Sequence, residues 1–313
     1  MRFIGRMRLL LVDGHYYLYR SFFAIRGLRA PDGRPTNAIY GFAKALKKMF
    51  ADVEPTHAAV VWDGGLPAKR TELRPDYKQN RPPMPVDMQR QEEWLKRNVS
   101  FFGARSLWLP KTEADDLIAS LSRQAESRGM EVVIATNDKD MMQLVRPGVS
   151  IYSTAKSDCA ERAFVLLGPS EVAARWGVAP ERVGDFLALT GDQTDNISGV
   201  DGVGEKTAAR LIREFGGLDD LLRSLERVKP KSLAEKISRA RDLILENKEM
   251  VTLDEGIPLP AQIEELEFKP DREHLSEALK DIGFKSLLEE GAADPSFAPE
   301  KGVRGSGSQG ELF

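Results

Sequence analysis

Residues 9–14 read Leu-Leu-Leu-Val-Asp-Gly, four apolar side chains that stop at a carboxylate and a turn former. So short a run, closed by Asp-Gly, predicts a buried strand rather than a helix. The design recurs: residues 58–64 (AAVVWDG) reach Asp63, and residues 131–138 (EVVIATND) reach Asp138. Helical patterns fill the intervals, over residues 38–50, 87–102 and 114–128. Strand alternating with helix predicts an α/β domain over residues 7–165, its mostly parallel central sheet flanked by helices. Parallel strands share a carboxyl edge, so Asp13, Asp63 and Asp138 are expected to line one crevice. Beyond residue 165 the pattern turns to short helices at 169–176, 180–190, 205–215, 218–225 and 233–247, with an amphipathic segment at 271–290. These predict a helical subdomain over 166–290. Residues 291–313 are small and polar, contain GSGS, and read as a flexible tail.

At 313 residues, 42% hydrophobic and 30% charged, the chain has ordinary globular composition, which excludes disorder throughout and a fibrous repeat. One cysteine, Cys159, and three histidines exclude a disulfide framework and a Cys/His zinc site. No apolar run approaches the roughly 18 residues of a membrane span, and no secretory leader is evident, so a soluble cytoplasmic protein is expected. The net charge of −3 conceals its distribution. Residues 1–30 hold six arginines and one acid, and residues 66–111 hold ten Lys/Arg and five acids, each stretch a net +5. Such local basicity matters more than the total when the partner is a polyanion.

Nine acids stand where strands end or helices begin: Asp13, Asp63, Glu113, Asp115, Asp116, Asp138, Asp140, Asp192 and Asp195. Singly, each reads as a turn former or helix cap. Together they would repel unless cations sat among them, and an all-carboxylate set suits hard divalent ions such as Mg²⁺. Removing these nine acids changes the net charge from −3 to +6, a basic body around an acidic centre. That combination fits phosphodiester hydrolysis, in which two metals about 4 Å apart activate water and stabilise the leaving oxygen.

Residues 199–208, GVDGVGEKTA, place three glycines before a helix, the pattern of a helix-hairpin-helix over 196–215. Gly202 and Gly204 would let backbone N–H groups reach phosphate, with Lys206 and Thr207 beside them. Residues 66–90 form a basic stretch with Lys69, Arg70, Arg74, Tyr77, Lys78, Arg81 and Arg90, interrupted by Pro75, Pro82, Pro83 and Pro85. It reads as a loosely structured arch closing over a single strand, with Tyr77 stacking and Arg70, Lys78 and Arg81 meeting phosphate. Tyr16, Tyr17, Tyr19, Phe22 and Phe23 read as helix core, with Arg20 beside them as a phosphate contact.

With these motifs in order, the chain resembles the bacterial 5′-nuclease family, meaning the 5′→3′ exonuclease domain of DNA polymerase I and its flap endonuclease relatives. The landmarks are LLLVDG, VVWDG, YKQNRPPMP, EADD, TNDKD, FLALTGDQTDNISGVDGVGEKTA and GFKSLLEE, spread over residues 7–290. The resemblance implies a 5′-nuclease/PIN-like fold and a metal-dependent nuclease acting on 5′ ends and 5′ flaps of DNA or RNA primers. It implies a first metal set of Asp13, Asp63, Glu113, Asp115 and Asp116, and a second of Asp138, Asp140, Asp192 and Asp195. It further implies that Lys78 and Arg81 act on the scissile phosphate and that the hairpin binds duplex together with K⁺. Ser198 departs from the family's usual proline, and residues 156–162 look like an insertion without an assignable role. The reading is of a stand-alone nuclease, and the terminal Gln309-Gly310-Glu311-Leu312-Phe313 resembles a sliding-clamp docking peptide, with Gln309, Leu312 and Phe313 as contacts. The rival readings are a branched-DNA-binding module without catalysis and a related metal-dependent ribonuclease.

Overall fold

A computed structural model describes residues 7–153 and 164–284. The chain runs β1 (Arg8–Asp13), α1 (Gly14–Ala24), α2 (Asn37–Val53), β2 (His57–Val61), α3 (Ala68–Leu73), α4 (Val86–Asn98) and β3 (Arg105–Leu107). It continues through α5 (Ala114–Glu126), β4 (Glu131–Ala135), β5 (Val149–Ser153) and β6 (Val165–Leu167). The helical part comprises α6 (Pro169–Trp176), α7 (Val183–Thr190), a two-stranded ribbon of β7 (Gly191–Asp192) and β8 (Ile197–Ser198), and α8 (Glu205–Phe215). α9 (Leu218–Arg223), α10 (Lys231–Arg239), α11 (Arg241–Val251) and α12 (Arg272–Asp281) complete it. Among the described residues, no helix is long and apolar enough to cross a membrane.

The central sheet has the order β3-β2-β1-β4-β5-β6, all parallel except β6, which runs antiparallel to β5. Asp13 pairs with Val61 and Val12 with Ala135, so β1, β2 and β4 end together and their carboxylates share one edge. The two-residue alternation of strands divides the core. Leu9, Leu11, Ala59, Val61, Val132 and Ile134 pack with α5 and the helical part. Leu10, Val12, Ala58, Val60, Trp62 and Val133 pack with α1, α2, α4 and α12. Covered on both faces, the strands are continuously apolar rather than alternating.

Three boundaries differ from expectation. The sheet extends through Leu167, past the division expected at residue 165. The helix expected over 233–247 breaks at Ala240 into α10 and α11. No Gly or Pro marks that break, and Ile237 and Ile244 keep a seven-residue spacing that reads as one helix. Residues 267–284 return to the α/β core rather than joining the helical part. The Phe268 N–H donates to the Thr56 carbonyl at 2.9 Å, and Leu275, Leu279, Ile282 and Phe284 bury against the α2 side. The stretches 156–162, 285–290 and 291–313, including Gln309, Leu312 and Phe313, lie outside the described residues.

Candidate metal centre

The strand-end acids act as helix caps and still face the crevice. Asp13 Oδ1 accepts the Tyr16 N–H at 2.9 Å and so caps α1, while Oδ2 accepts the Thr136 hydroxyl at 2.9 Å. α1 can leave the strand at once because residue 14 is glycine: a Cβ there would stand 2.5 Å from the Trp62 ring. Asp63 Oδ1 caps α5 by accepting the Ala114 N–H at 2.8 Å, which brings the first turn of α5, with Glu113 and Asp115, to the same edge. The Asp138 N–H donates to Thr136 Oγ1 at 3.1 Å, and the Asp140 N–H donates to Asp138 Oδ1 at 3.0 Å. The pair thus occupies a tight turn.

Burial and mutual repulsion show in the acidities. Burial pushes the Asp13 carboxyl up to about 6, and Asp63 and Asp138 add to the shift. Asp115 rises well above the carboxylate range, from burial first and then from Asp138 and Asp13. Asp140 does so through burial, Asp138 and Asp192, and Asp138 is likewise raised. A buried cluster of like charges behaves this way when no cation offsets it.

At the far end of the crevice, one carboxylate oxygen from each of Asp140, Asp192 and Asp195 lies within 4.8 Å of the others. Asp140 Oδ1 is buried and has no hydrogen-bond partner among the described residues. An orphaned buried carboxylate oxygen is expensive, and an all-oxygen donor set suits Mg²⁺ or Mn²⁺. These residues therefore fit a hard divalent ion.

Protein cations neutralise Glu113 and reach the tri-carboxylate group as well. Glu113 takes the guanidinium of Arg70, the ammonium of Lys78 and the Tyr77 hydroxyl, the last at 3.1 Å. Arg81 pairs with Asp195, and Lys139 Nζ lies 3.1 Å from Asp192. Burial would depress the Lys78 ammonium, but Glu113 and Asp195 outweigh it and hold it above its ordinary value. Lys78 also adopts a left-handed backbone (φ 57°), its N–H donating to the Asp195 carbonyl at 3.2 Å. Asn80 Nδ2 donates to the Gln193 carbonyl at 2.8 Å, and Asn196 Nδ2 to the Asp76 carbonyl at 2.9 Å. The basic stretch is therefore helix α3, then turns over residues 74–81 docked on the 192–196 loop, then the start of α4, not a loose arch.

Several expected nucleic-acid contacts stand elsewhere. Arg70 is only 6% exposed and is enclosed by Glu113, Asp116 and the end of α11; Tyr77 is 4% exposed and points its hydroxyl at the acids. Neither is available for stacking or phosphate, because the buried carboxylates need these donors. Conversely, Tyr19 and Phe23, read as core, are exposed: the α1 face they share turns outward, with Phe23 61% accessible. Arg20 lies exposed on the same helix. Gly202 (φ 75°), Gly204 and Lys206 are exposed around the N-terminus of α8, and Thr207 is half-buried.

Sequence reasoning missed His15 and Glu92. His15 Nδ1 accepts the Asp63 N–H at 3.1 Å, while Nε2 lies 3.1 Å from Glu92. His15 and Lys96 hold Glu92 down near 2 against its burial. The signal for His15 was its place two residues after Asp13; nothing local marked Glu92. Also missed was Asn247, wholly buried, which donates to the Ala188 carbonyl at 3.1 Å and the Ser198 carbonyl at 2.8 Å. Its Oδ1 accepts from Arg74 at 3.3 Å, joining the basic stretch, α11 and the hairpin around Ser198.

Comparison with known proteins bears on this geometry. Residues 8–177 match the family model described as 5′-3′ exonuclease, N-terminal resolvase-like domain. Residues 178–274 match that described as 5′-3′ exonuclease, C-terminal SAM fold. The thermostable DNA polymerase I of Thermus thermophilus is 39% identical over 283 residues, 90% of this chain and 33% of that protein. DNA polymerase I of Bacillus subtilis is 36% identical over 296 residues, 94% of this chain and 33% of that protein. The chain thus spans about a third of the length of the curated relatives it matches. Among solved structures, the bacteriophage T5 flap endonuclease, in a pseudo-enzyme–product complex with DNA and metal ions, superimposes with a TM-score of 0.64 at 21% identity. That match covers 90% of this chain and 96% of the other. The catalytic core of Rad2 in complex with DNA gives a TM-score of 0.59 at 17% identity, covering 89% and 88%. Both share the fold.

Proposed function

The chain belongs to the 5′-3′ exonuclease family, spanning its resolvase-like and SAM-fold domains, and from that premise we propose a metal-dependent 5′→3′ exonuclease and 5′-flap endonuclease. Its substrates are DNA with 5′ ends or flaps, or an RNA primer on DNA, in replication or repair. The observation that carries this reading is the convergence of Asp140, Asp192 and Asp195, with Asp140 Oδ1 buried and unpartnered among the described residues, beside the crowded strand-end acids.

Two Mg²⁺ ions, with Mn²⁺ as substitute, would when bound supply an activated water and charge stabilisation at the leaving oxygen. Asp140, Asp192 and Asp195, with Asp138, would hold one ion, and Asp13, Asp63, Glu113 and Asp115 would hold the other. Lys78 and Arg81, now paired with Glu113 and Asp195, turn to the scissile phosphate once cations replace them as partners of the acids. Gly202, Gly204, Lys206 and Thr207 grip the duplex backbone, which positions it without reading sequence. K⁺ at the hairpin and a sliding clamp held by Gln309, Leu312 and Phe313 complete the proposal.

The test is a 5′-flap duplex labelled at the 3′ end of the flap strand, incubated in Mg²⁺ with the wild type and with Asp115→Asn. Cleavage near the junction by the wild type alone supports the reading. Binding without cleavage in both Mg²⁺ and Mn²⁺ would leave a DNA-binding module, and a preference for free single-stranded RNA a ribonuclease.

A further inference from the structure

Arg70 has every donor occupied. Nε donates to the Met250 carbonyl at 2.9 Å, and Nη2 to the Thr252 carbonyl at 3.2 Å and to Asp116 Oδ1 at 2.9 Å. Nη1 donates to Asp116 Oδ2 at 2.6 Å and to Glu113. Five N–H groups thus meet five acceptors, the full capacity of a guanidinium. Asp116 is equally committed: the Arg70 fork takes both oxygens, and Oδ1 also accepts the Asp254 N–H at 2.9 Å. Asp116 therefore faces away from the crevice, toward α3 and the end of α11, although its spacing from Glu113 suits either a ligand or an anchor.

We propose that Arg70 and Asp116 form a positioning clamp: Asp116 is not a metal ligand but the counter-ion that orients Arg70, and Arg70 holds the Glu113 carboxylate toward the crevice. Through the Met250 and Thr252 carbonyls the clamp also fixes the first turn of α5 against the C-terminal end of α11. Fork geometry is essential, since an ammonium on a lysine stem cannot serve five acceptors in one plane. The inference rests on reading the crevice as a metal centre.

Mn²⁺ alone is the probe, with bound ions counted by electron paramagnetic resonance on the full chain. Asp116→Asn should retain the wild-type number of bound Mn²⁺ ions and weaken their affinity by about tenfold, the usual effect of disturbing a group that orients a ligand. Arg70→Lys should match it, and the double variant should lose no more than either single one. Glu113→Gln leaves the Arg70–Asp116 pair intact and should weaken binding more than Asp116→Asn does. The clamp is overturned if Asp116→Asn loses an ion, if it exceeds Glu113→Gln, or if the two clamp losses multiply. A wild type that binds no Mn²⁺ removes the metal-centre reading itself, an outcome distinct from loss of an ion in the variant alone.

Discussion

Two ends of the crevice hold similar acids that the protein pairs to different extents. Around Glu113 and Asp116 every carboxylate oxygen meets an arginine, a lysine, a tyrosine hydroxyl or a backbone N–H. Around Asp140, Asp192 and Asp195 three carboxylates crowd within 4.8 Å, and one buried oxygen has no partner. The first group is fully paired as folded; at the second, Arg81 and Lys139 pair with Asp195 and Asp192 but leave Asp140 Oδ1 without a partner among the described residues. The difference separates a carboxylate committed to protein donors, Asp116, from one that keeps a buried oxygen without a partner among the described residues, Asp140, a distinction that residue type alone conceals.

The largest expected effect sharpens that contrast through catalysis. Asp192→Ala, which dismantles the tri-carboxylate end, should lower flap cleavage by on the order of 10³-fold, since metal charge stabilisation is worth several kcal/mol. Single-turnover rates in saturating Mg²⁺ measure it.

Stability without metal should move in opposite directions at the two ends. Asp116→Asn leaves the buried Arg70 charge half-compensated and should cost about 3 kcal/mol. Asp140→Asn removes a repelling carboxylate and should stabilise the chelated protein, raising Tm by about 2–4 °C per kcal/mol gained. Urea and thermal melts in EDTA read both, and variants that shift in the same direction would break the comparison.

The pH response follows from Asp13, raised from 3.8 to about 6. Between those values the folded state holds more protons than the unfolded chain, so raising pH removes stability. The Asp13 contribution is full below about 3.8 and lost through about 6. Divalent-ion affinity should rise over the same window, because the ligands must deprotonate. Denaturation in EDTA at pH 4.5 and 7 should show a shallower fall for Asp13→Asn than for the wild type.

The smallest effect lies away from both ends. Lys206→Ala at the α8 N-terminus should weaken duplex binding uniformly across sequences and reduce the salt slope by about one, with both ends of the crevice untouched. Fluorescence anisotropy in Ca²⁺ at several salt concentrations checks this.

Much of this was legible in the sequence. LLLVDG, AAVVWDG and EVVIATND announced three parallel strands ending in acids, because apolar runs closed by turn formers admit few other structures. The hairpin was legible for the same reason, its glycines allowing a positive φ at Gly202. The wiring between side chains was not. Glu113 and Asp116 share a helix face whether they bind metal or arginine, and only the fold brings Arg70 to them from 43 and 46 residues away. Tyr77 sits in a basic stretch that suggests solvent, yet the buried acids claim its hydroxyl. Tyr19 and Phe23 lie on an apolar helix whose outward face no periodicity distinguishes from its inward one. The return of α12 to the sheet depends on contacts more than 200 residues apart in the chain, which local patterns do not encode.

Asn247 connects the α7 carbonyl of Ala188 and the hairpin carbonyl of Ser198 to Arg74 with one buried amide, next to the helix end that Arg70 grips. The interval between the α8 N-terminus and the acidic edge is therefore set by packed atoms rather than by a swinging linker. A backbone seized at α8 would meet the acids at a constant number of phosphates from the grip, so the molecule would measure as well as cut. Scatter in the length of its products would then report how firmly that single amide keeps the gauge.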